Sequence, residues 1–328
     1  MRFLESTPEL TEAIFPGCVI VIYSGTGVGK TVSSLKTLKT PIFLINMESR
    51  DPLRAIVASE MNFKLIPAAE AVAAEGDLCY NNYDGDWRSA RTFMETFDFS
   101  NYASIILDGG TELSKHSSRA CLAGNQEEMS EDRQEVMSIK DESTLEWSDY
   151  SKLADQMDRM IEPLTAWAQK GKHIVINVLL ADEMNEWKES FEGKPMFIGG
   201  KFGKSLPGKV DLIGMATRRY TFAKDEKGEN ELNSNGQPII RLIYPPLVQF
   251  DPNGTQKFQS KWSGRRINLP GNEGIPASEC AMAGPLDFGA WLEHKIYNPT
   301  TKEWEYQSGY EDHKPSTTKT ANKKGEKA

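Results

Sequence analysis

Apolar positions along the chain fall into short unbroken blocks separated by amphipathic stretches. Cys18–Tyr23 (CVIVIY) is rich in β-branched residues and reads as a strand buried on both faces. Ile42–Asn46 (IFLIN), Ser104–Leu107 (SIIL) and Ile174–Leu180 (IVINVLL) read the same way. A helix is predicted from Lys30 to about Lys39, closed by Pro41. From Tyr150 to Gln169, Leu153, Met157, Met160, Ile161, Leu164 and Trp167 recur at helical spacing and mark one buried face. Strands alternating with helices predict a mostly parallel α/β sheet.

The pattern changes after Leu206. Val210–Met215 and Arg218–Phe222 read as strands, and Lys224–Gln237 is polar with a turn signal at Asn235-Gly236. Ile239–Tyr244 then reads as the returning strand, so antiparallel strands extend the sheet on its C-terminal side. Pro270–Pro285 is rich in Gly, Pro and Ala. Leu286–Ile296 is expected to form one more helix, and the polar, lysine-ending segment after Pro299 is expected to be disordered.

The 328 residues include 39% hydrophobic and 26% charged, enough apolar mass for a core. No apolar run approaches the roughly 18 residues that span a bilayer. Glu5, Glu9 and Glu12 precede the first apolar run, unlike a signal peptide. Cys18, Cys79, Cys121 and Cys280 form no CxxC pair, and His116, His173, His294 and His313 are scattered. A cytoplasmic protein without a His/Cys metal site is therefore expected. The net charge is -9. Acid concentrates in Glu112–Glu162, whereas Lys201–Arg266 is basic on balance, so an acidic ligand would meet the second region.

Ser24-Gly25-Thr26-Gly27-Val28-Gly29-Lys30-Thr31, between a strand and a helix, follows the phosphate-loop pattern with Ser24 in place of the first Gly. Glycines let successive backbone N–H groups face phosphate oxygens, and the helix that opens at Lys30 and continues through Val32 adds its positive end. Lys30 would reach the β- and γ-phosphates of ATP, and Thr31 would bind Mg²⁺. Ser104–Leu107 ends in Asp108, the Walker B arrangement. On a strand beside the phosphate-loop strand, Asp108 would lie near the metal. Glu112 is either a second acid of the site or a residue placed at a helix N-terminus.

Glu48 lies just past the second strand, at the edge where open α/β sheets bind ligands. It either orients and deprotonates an attacking water or pairs with Arg50 or Arg54. Asn177, inside an apolar strand, either contacts the γ-phosphate or its water, or makes a structural hydrogen bond.

Five stretches in order carry a family resemblance: SGTGVGKT (Ser24–Thr31), FLINMES (Phe43–Ser49), IILDGGTELS (Ile105–Ser114), the helix and strand Trp147–Val178, and GGKFGKSLPGKVDLIGMATRR (Gly199–Arg219). Over about residues 15–270 the chain resembles the phage and prophage RecA-like nucleotide-binding ATPases, which include RecA-like single-strand annealing proteins. The resemblance implies an α/β RecA-like P-loop NTPase fold, a mostly parallel sheet flanked by helices, with antiparallel strands at the C-terminal side. The chain is expected to divide into this core over 1–270, an extension with one helix over 271–298 and a polar, Lys-rich tail over 299–328. It also implies Lys30 and Thr31 on phosphate and Mg²⁺, Asp108 as Walker B acid and Glu48 as the acid that orients water. A late strand of the family carries a cation that reaches nucleotide. The matching segment here is Gln259–Arg266, with Lys261 and Arg265 as the candidates. Two departures stand out. Val178 and Leu179 occupy the place of the family's sensor Gln, and the acidic stretch Cys121–Glu146 exceeds the usual linker.

Two functions are compatible with these features. In one, the chain is an ATP-hydrolysing recombination protein that assembles with copies of itself and binds single-stranded DNA. The basic region, with Tyr220, Phe222, Phe258 and Trp262 interleaved, would contact phosphates and stack bases. Alternatively those aromatics are simply buried. In the other, it is an ATP-dependent switch or assembly factor that docks protein partners through the acidic stretch. A small-molecule kinase fits less well, since no acceptor pocket or lid arginines are identifiable.

Overall fold

The structure, a computed structural model, describes residues 17–48, 52–59, 63–65, 78–83, 87–127, 149–184, 191–197, 200–250, 261–262, 282–285, 287–288, 295–298, 301 and 303–306. The elements in order are β1 (Cys18–Ser24), α1 (Lys30–Thr37), β2 (Ile42–Asn46), α2 (Leu53–Ser59), β3 (Phe63–Leu65), β4 (Leu78–Asn82) and α3 (Trp87–Thr96). Then come β5 (Ser104–Asp108), α4 (Gly110–Glu127), α5 (Asp149–Gln169), β6 (His173–Met184), β7 (Phe191–Pro195), α6 (Gly200–Ser205) and a 3-10 turn at Leu206–Gly208. The last are β8 (Leu212–Phe222), β9 (Ile240–Phe250), β10 (Lys261–Trp262), β11 (Met282–Pro285), β12 (Lys295–Asn298) and β13 (Glu303–Tyr306).

Every residue of β1 is buried, which requires strands on both edges and cover on both faces. Its edges pair in parallel with β6 and β8. The main path runs β11-β9-β8-β1-β6-β5-β2-β4-β3, with β7 added on β6 and β10 on β8. Pairings from β8 through β3 are parallel, whereas β9, β10 and β11 join antiparallel. This is the α/β class expected from the sequence, with the antiparallel strands on the C-terminal side as predicted.

Strand alternation divides the core in two. Val19, Val21, Tyr23, Phe43, Ile105 and Ile174 face α3, α4 and α5, while Ile20, Ile22, Leu44, Ile106 and Val175 pack with Leu35 of α1 and Ile56 of α2. Each aliphatic side chain fully buried this way contributes about 1.5–3 kcal/mol. Phe43 meets Phe99 and Tyr102 edge-on, at centroid distances of 5.4 and 5.1 Å, which ties β2 to the turn before β5.

Several expectations need correction. β5 is not beside β1, because β6 lies between them. The two strands read at Val210–Met215 and Arg218–Phe222 are one strand, β8, with an irregular register between Thr217 and Arg219. The helix read over Leu286–Ile296 does not reach its end, because Lys295 and Ile296 belong to β12. The segment after Pro299 is not uniformly unstructured: Glu303–Tyr306 forms β13 against β12, and Trp304 packs on the core face that holds α1. β11 carries the main sheet past residue 270.

Candidate functional site

The site forms where β1, β5 and β2 end. β1 leads into a loop whose glycines adopt left-handed backbone, with φ 69° at Gly27 and 100° at Gly29. Such angles cost a residue with Cβ steric energy, so glycine belongs here. Gly29 is the N-cap of α1 and supplies no side-chain cap. The first amides of a helix have no intrahelical acceptor, so Lys30, Thr31 and Val32 open a site suited to an anion.

Lys30 Nζ donates to Ser24 Oγ at 2.8 Å and approaches the carbonyls of Ser24 and Gly25 at 3.4 Å. The Ser24 hydroxyl in turn donates to Gly25 O at 2.8 Å. The departure from the usual first glycine thus gives the loop lysine a partner of its own. Burial brings Lys30 down from 10.5 to about 8, against the opposing charges of Asp108 and Glu48.

The register across the strand ends is Asn177 opposite Asp108, Asp108 opposite Asn46, and Asn46 opposite Asn82. Asp108 is buried. It accepts from Thr31 Oγ1 at 3.0 and 2.8 Å and from Asn177 Nδ2 at 2.9 Å. Burial raises its pKa, opposed by the bonds from Asn177 and Thr31 and by the charge of Lys30. Because β6 is interposed, Asn177 rather than β1 is the lateral neighbour of the acid. Asn177 therefore does make a structural hydrogen bond. Its Oδ1 is buried with no protein partner.

Glu48 follows β2 on a short turn. Its N–H donates to Asn46 Oδ1 at 3.3 Å, and its carbonyl accepts from Asn46 Nδ2 at 3.1 Å. Asn46 Nδ2 also donates to Asn82 Oδ1 at 3.0 Å. Gly109, at φ 95°, packs against this turn: a Cβ there would stand 2.8 Å from Glu48 Cγ and 3.1 Å from Glu48 N. Asn46 and Asn82 were not anticipated, although a polar residue closing an otherwise apolar strand was a readable signal. Glu112 lies in the first turn of α4 and pairs with Lys115 at 2.5 Å, the helix-terminal alternative.

Of the late cations, Lys261 lies in the described residues, at the start of β10. β10 pairs antiparallel with β8, so the step from Lys261 to Trp262 moves from the level of Val21 to that of Ile20, away from the loop. Arg265 and Phe258 lie outside the described residues, as does 128–148, which holds most of the acidic stretch. In the basic region, Lys209 is paired with Asp158 at 3.0 Å. Phe222, by contrast, is 50% exposed rather than buried.

Among the described residues, no three His, Cys, Asp or Glu side chains gather as a metal-binding group. The oxygen donors that suit a hard divalent cation are Thr31 Oγ1 and Asp108, with the unpartnered Asn177 Oδ1 beside them to take a hydrogen bond. The residues present fit Mg²⁺ held together with phosphate oxygens. No described helix is long and apolar enough to cross a membrane.

No protein-family model matches the chain, and neither does any curated protein. Among solved structures, the chain is similar to an ATPase from the type III secretion system of pathogenic bacteria, at 16% identity and a TM-score of 0.35. That likeness covers 63% of this chain, which spans about half (54%) of the other. The chemistry of the site accordingly rests on its own geometry.

Proposed function

We propose that this chain binds ATP with Mg²⁺ and hydrolyses it. The observation that carries this is the convergence of Lys30 and Thr31, at the head of α1, on the buried Asp108 at the end of β5. A loop that merely turned a strand into a helix would need neither the half-buried cation nor the hydroxyl–carboxylate pair. Lys30 neutralises the β- and γ-phosphates, the Gly25–Gly29 backbone and the amides of α1 cradle them, and Thr31 with Asp108 hold the cation. Bound there, Mg²⁺ supplies positive charge to the triphosphate oxygens. Glu48 orients a water and accepts its proton as the water oxygen attacks the terminal phosphorus and the bond to the β-phosphate oxygen breaks, giving ADP and phosphate. Asn177 and Asn46 are positioning residues: one holds Asp108, the other the turn that bears Glu48.

The finer reading is a phage-type RecA-like protein that works on single-stranded DNA as a homo-oligomer in the host cytoplasm. It is supported by the five sequence stretches and by the exposed Phe222 next to basic residues of β8. In that reading Lys261 and Arg265 serve a neighbouring subunit's nucleotide. The second reading, an ATP-dependent switch for protein partners, draws on the acidic stretch. Turnover measured with and without single-stranded DNA across a range of salt separates them. Stimulation that weakens with salt is expected for the DNA reading. Unchanged turnover together with no DNA binding would overturn it and leave the switch.

A further inference from the structure

β8 is the strand that accompanies β1 to the phosphate loop and then continues. The last paired residues are Tyr23 and Met215, so β8 from Ala216 to Phe222 runs on past the end of its pairing with β1. On its other edge β8 pairs with β9, and the register shifts between Thr217 and Arg219. The residue inside that shift is Arg218. Between those pairs β8 advances two residues and β9 four, so the extra residues, Tyr244, Pro245 and Pro246, lie on β9 and leave Arg218 without a paired residue opposite it. From this position the guanidinium reaches the loop. Arg218 Nη2 donates to Thr26 O. A Cβ on Gly27 would stand 3.0 Å from the same nitrogen, which places the guanidinium over the loop at Gly27 as well as Thr26.

A guanidinium carries five N–H donors and a fixed positive charge. Thr26 O is the only hydrogen-bond partner of Arg218 among the described residues, and the side chain is exposed. The carboxylates of Asp108 and Glu48 act on Lys30. A cation with unused donors therefore sits at the rim of the loop that Lys30 serves from within, and it comes from the same chain.

We propose that Arg218 is a triphosphate-contacting residue that acts in cis, turning from the Thr26 carbonyl to the terminal phosphate and distinguishing ATP from ADP. This rests on the ATP reading above and goes beyond it. It assigns the cation at the terminal phosphate to β8 of the same subunit, not to Lys261 or Arg265 of a neighbour. A residue that only braced the loop would weaken ADP as well as ATP, because the β-phosphate the loop cradles is common to both.

The test is nucleotide titration with Mg²⁺, using ADP and a non-hydrolysable ATP analogue, on the full chain and on Arg218→Gln, Arg218→Ala and Arg218→Lys. Losing a charge-assisted hydrogen bond predicts about a tenfold or greater loss of analogue affinity in the Gln and Ala variants, with ADP changed less than about twofold. Arg218→Lys recovers part of the loss. Thermal melting close to that of the unaltered chain identifies which variants are folded, and the Gln variant, nearest in length, keeps the comparison open if Ala does not fold. Equal losses for both nucleotides, or none, would overturn the proposal while leaving nucleotide binding intact. If the unaltered chain binds neither nucleotide, the ATP reading falls, and this proposal with it. Mixing Arg218→Gln with Lys30→Ala adds a second criterion. Action in cis predicts no recovery of turnover, whereas recovery would place the cation in trans.

Discussion

The Thr31 hydroxyl bonds both carboxylate oxygens of Asp108, at 3.0 and 2.8 Å, across 77 residues of sequence. Asp108 is buried at the same time, and its pKa is raised from 3.8. A raised carboxylate favours the fold while protonated. That contribution is lost as pH rises from the ordinary value through the elevated one, so above the ordinary carboxylate range the buried acid weighs against the fold. Asp108→Asn removes the charge, and its new amide can donate to the unpartnered Asn177 Oδ1 if that side chain keeps its place. The variant should melt higher at pH 7 and lose Mg²⁺-dependent nucleotide binding, a trade of function for stability. A lower melting temperature with binding retained would contradict the assignment.

Lys30, at about 8, is cationic below that pH and neutral above it. Bound phosphate favours the cation, so binding above pH 8 takes up a proton. Nucleotide affinity should be flat below about pH 7 and fall above pH 8, by up to about tenfold per pH unit. Calorimetry in buffers of different ionisation enthalpy should show the uptake. Lys30→Ala should bind weakly at every pH while remaining folded.

Glu48→Gln keeps the size and the backbone bonds of the turn that Asn46 clamps. It should spare nucleotide affinity and lower turnover roughly 10²-fold or more, as expected when a general base is lost. Single-turnover kinetics at saturating ATP separates this from a binding defect. Turnover near that of the unaltered chain would assign the water to another group.

Gly109→Ala forces a side chain into left-handed backbone and against Glu48. The strain should cost about 1–3 kcal/mol, read by denaturant unfolding. It should also lower turnover more than Gly110→Ala, whose Cβ would meet Ile176 and Val178 and not the Glu48 turn. Equal effects on turnover would separate the Glu48 turn from the reaction.

The glycine-rich loop after β1, the acid closing β5 and the parallel core were legible because each rests on local pattern: Gly spacing, an apolar block with a terminal acid, helical periodicity. The placement of β6 between β1 and β5 was not legible, since nothing in a strand's own residues specifies its neighbour when both faces are apolar. The role of Asn46 was missed for a related reason, because its partners Asn82 and the Glu48 turn become neighbours only through strand pairing. Arg218 was counted among basic residues without a place, because its nearness to Thr26 comes only from β8 pairing beside β1; Pro245-Pro246, where β9 carries the extra residues opposite it, was the readable part of that signal. β12 and β13 are short and polar-flanked, and β13 depends on Trp304 reaching a core built far upstream.

The position of β1 also bears on how the protein comes off the ribosome. Both strands that flank it are encoded late, at His173–Met184 and Leu212–Phe222. At 5–20 residues per second, the CVIVIY segment waits roughly 10–30 s after its own synthesis before even β6 has been made. During that interval it is an apolar segment without its native partners, the kind of segment that invites aggregation or chaperone capture. Chains arrested before residue 173 should remain sensitive to protease near Cys18–Ser24, and chains arrested well beyond Phe222 should be protected.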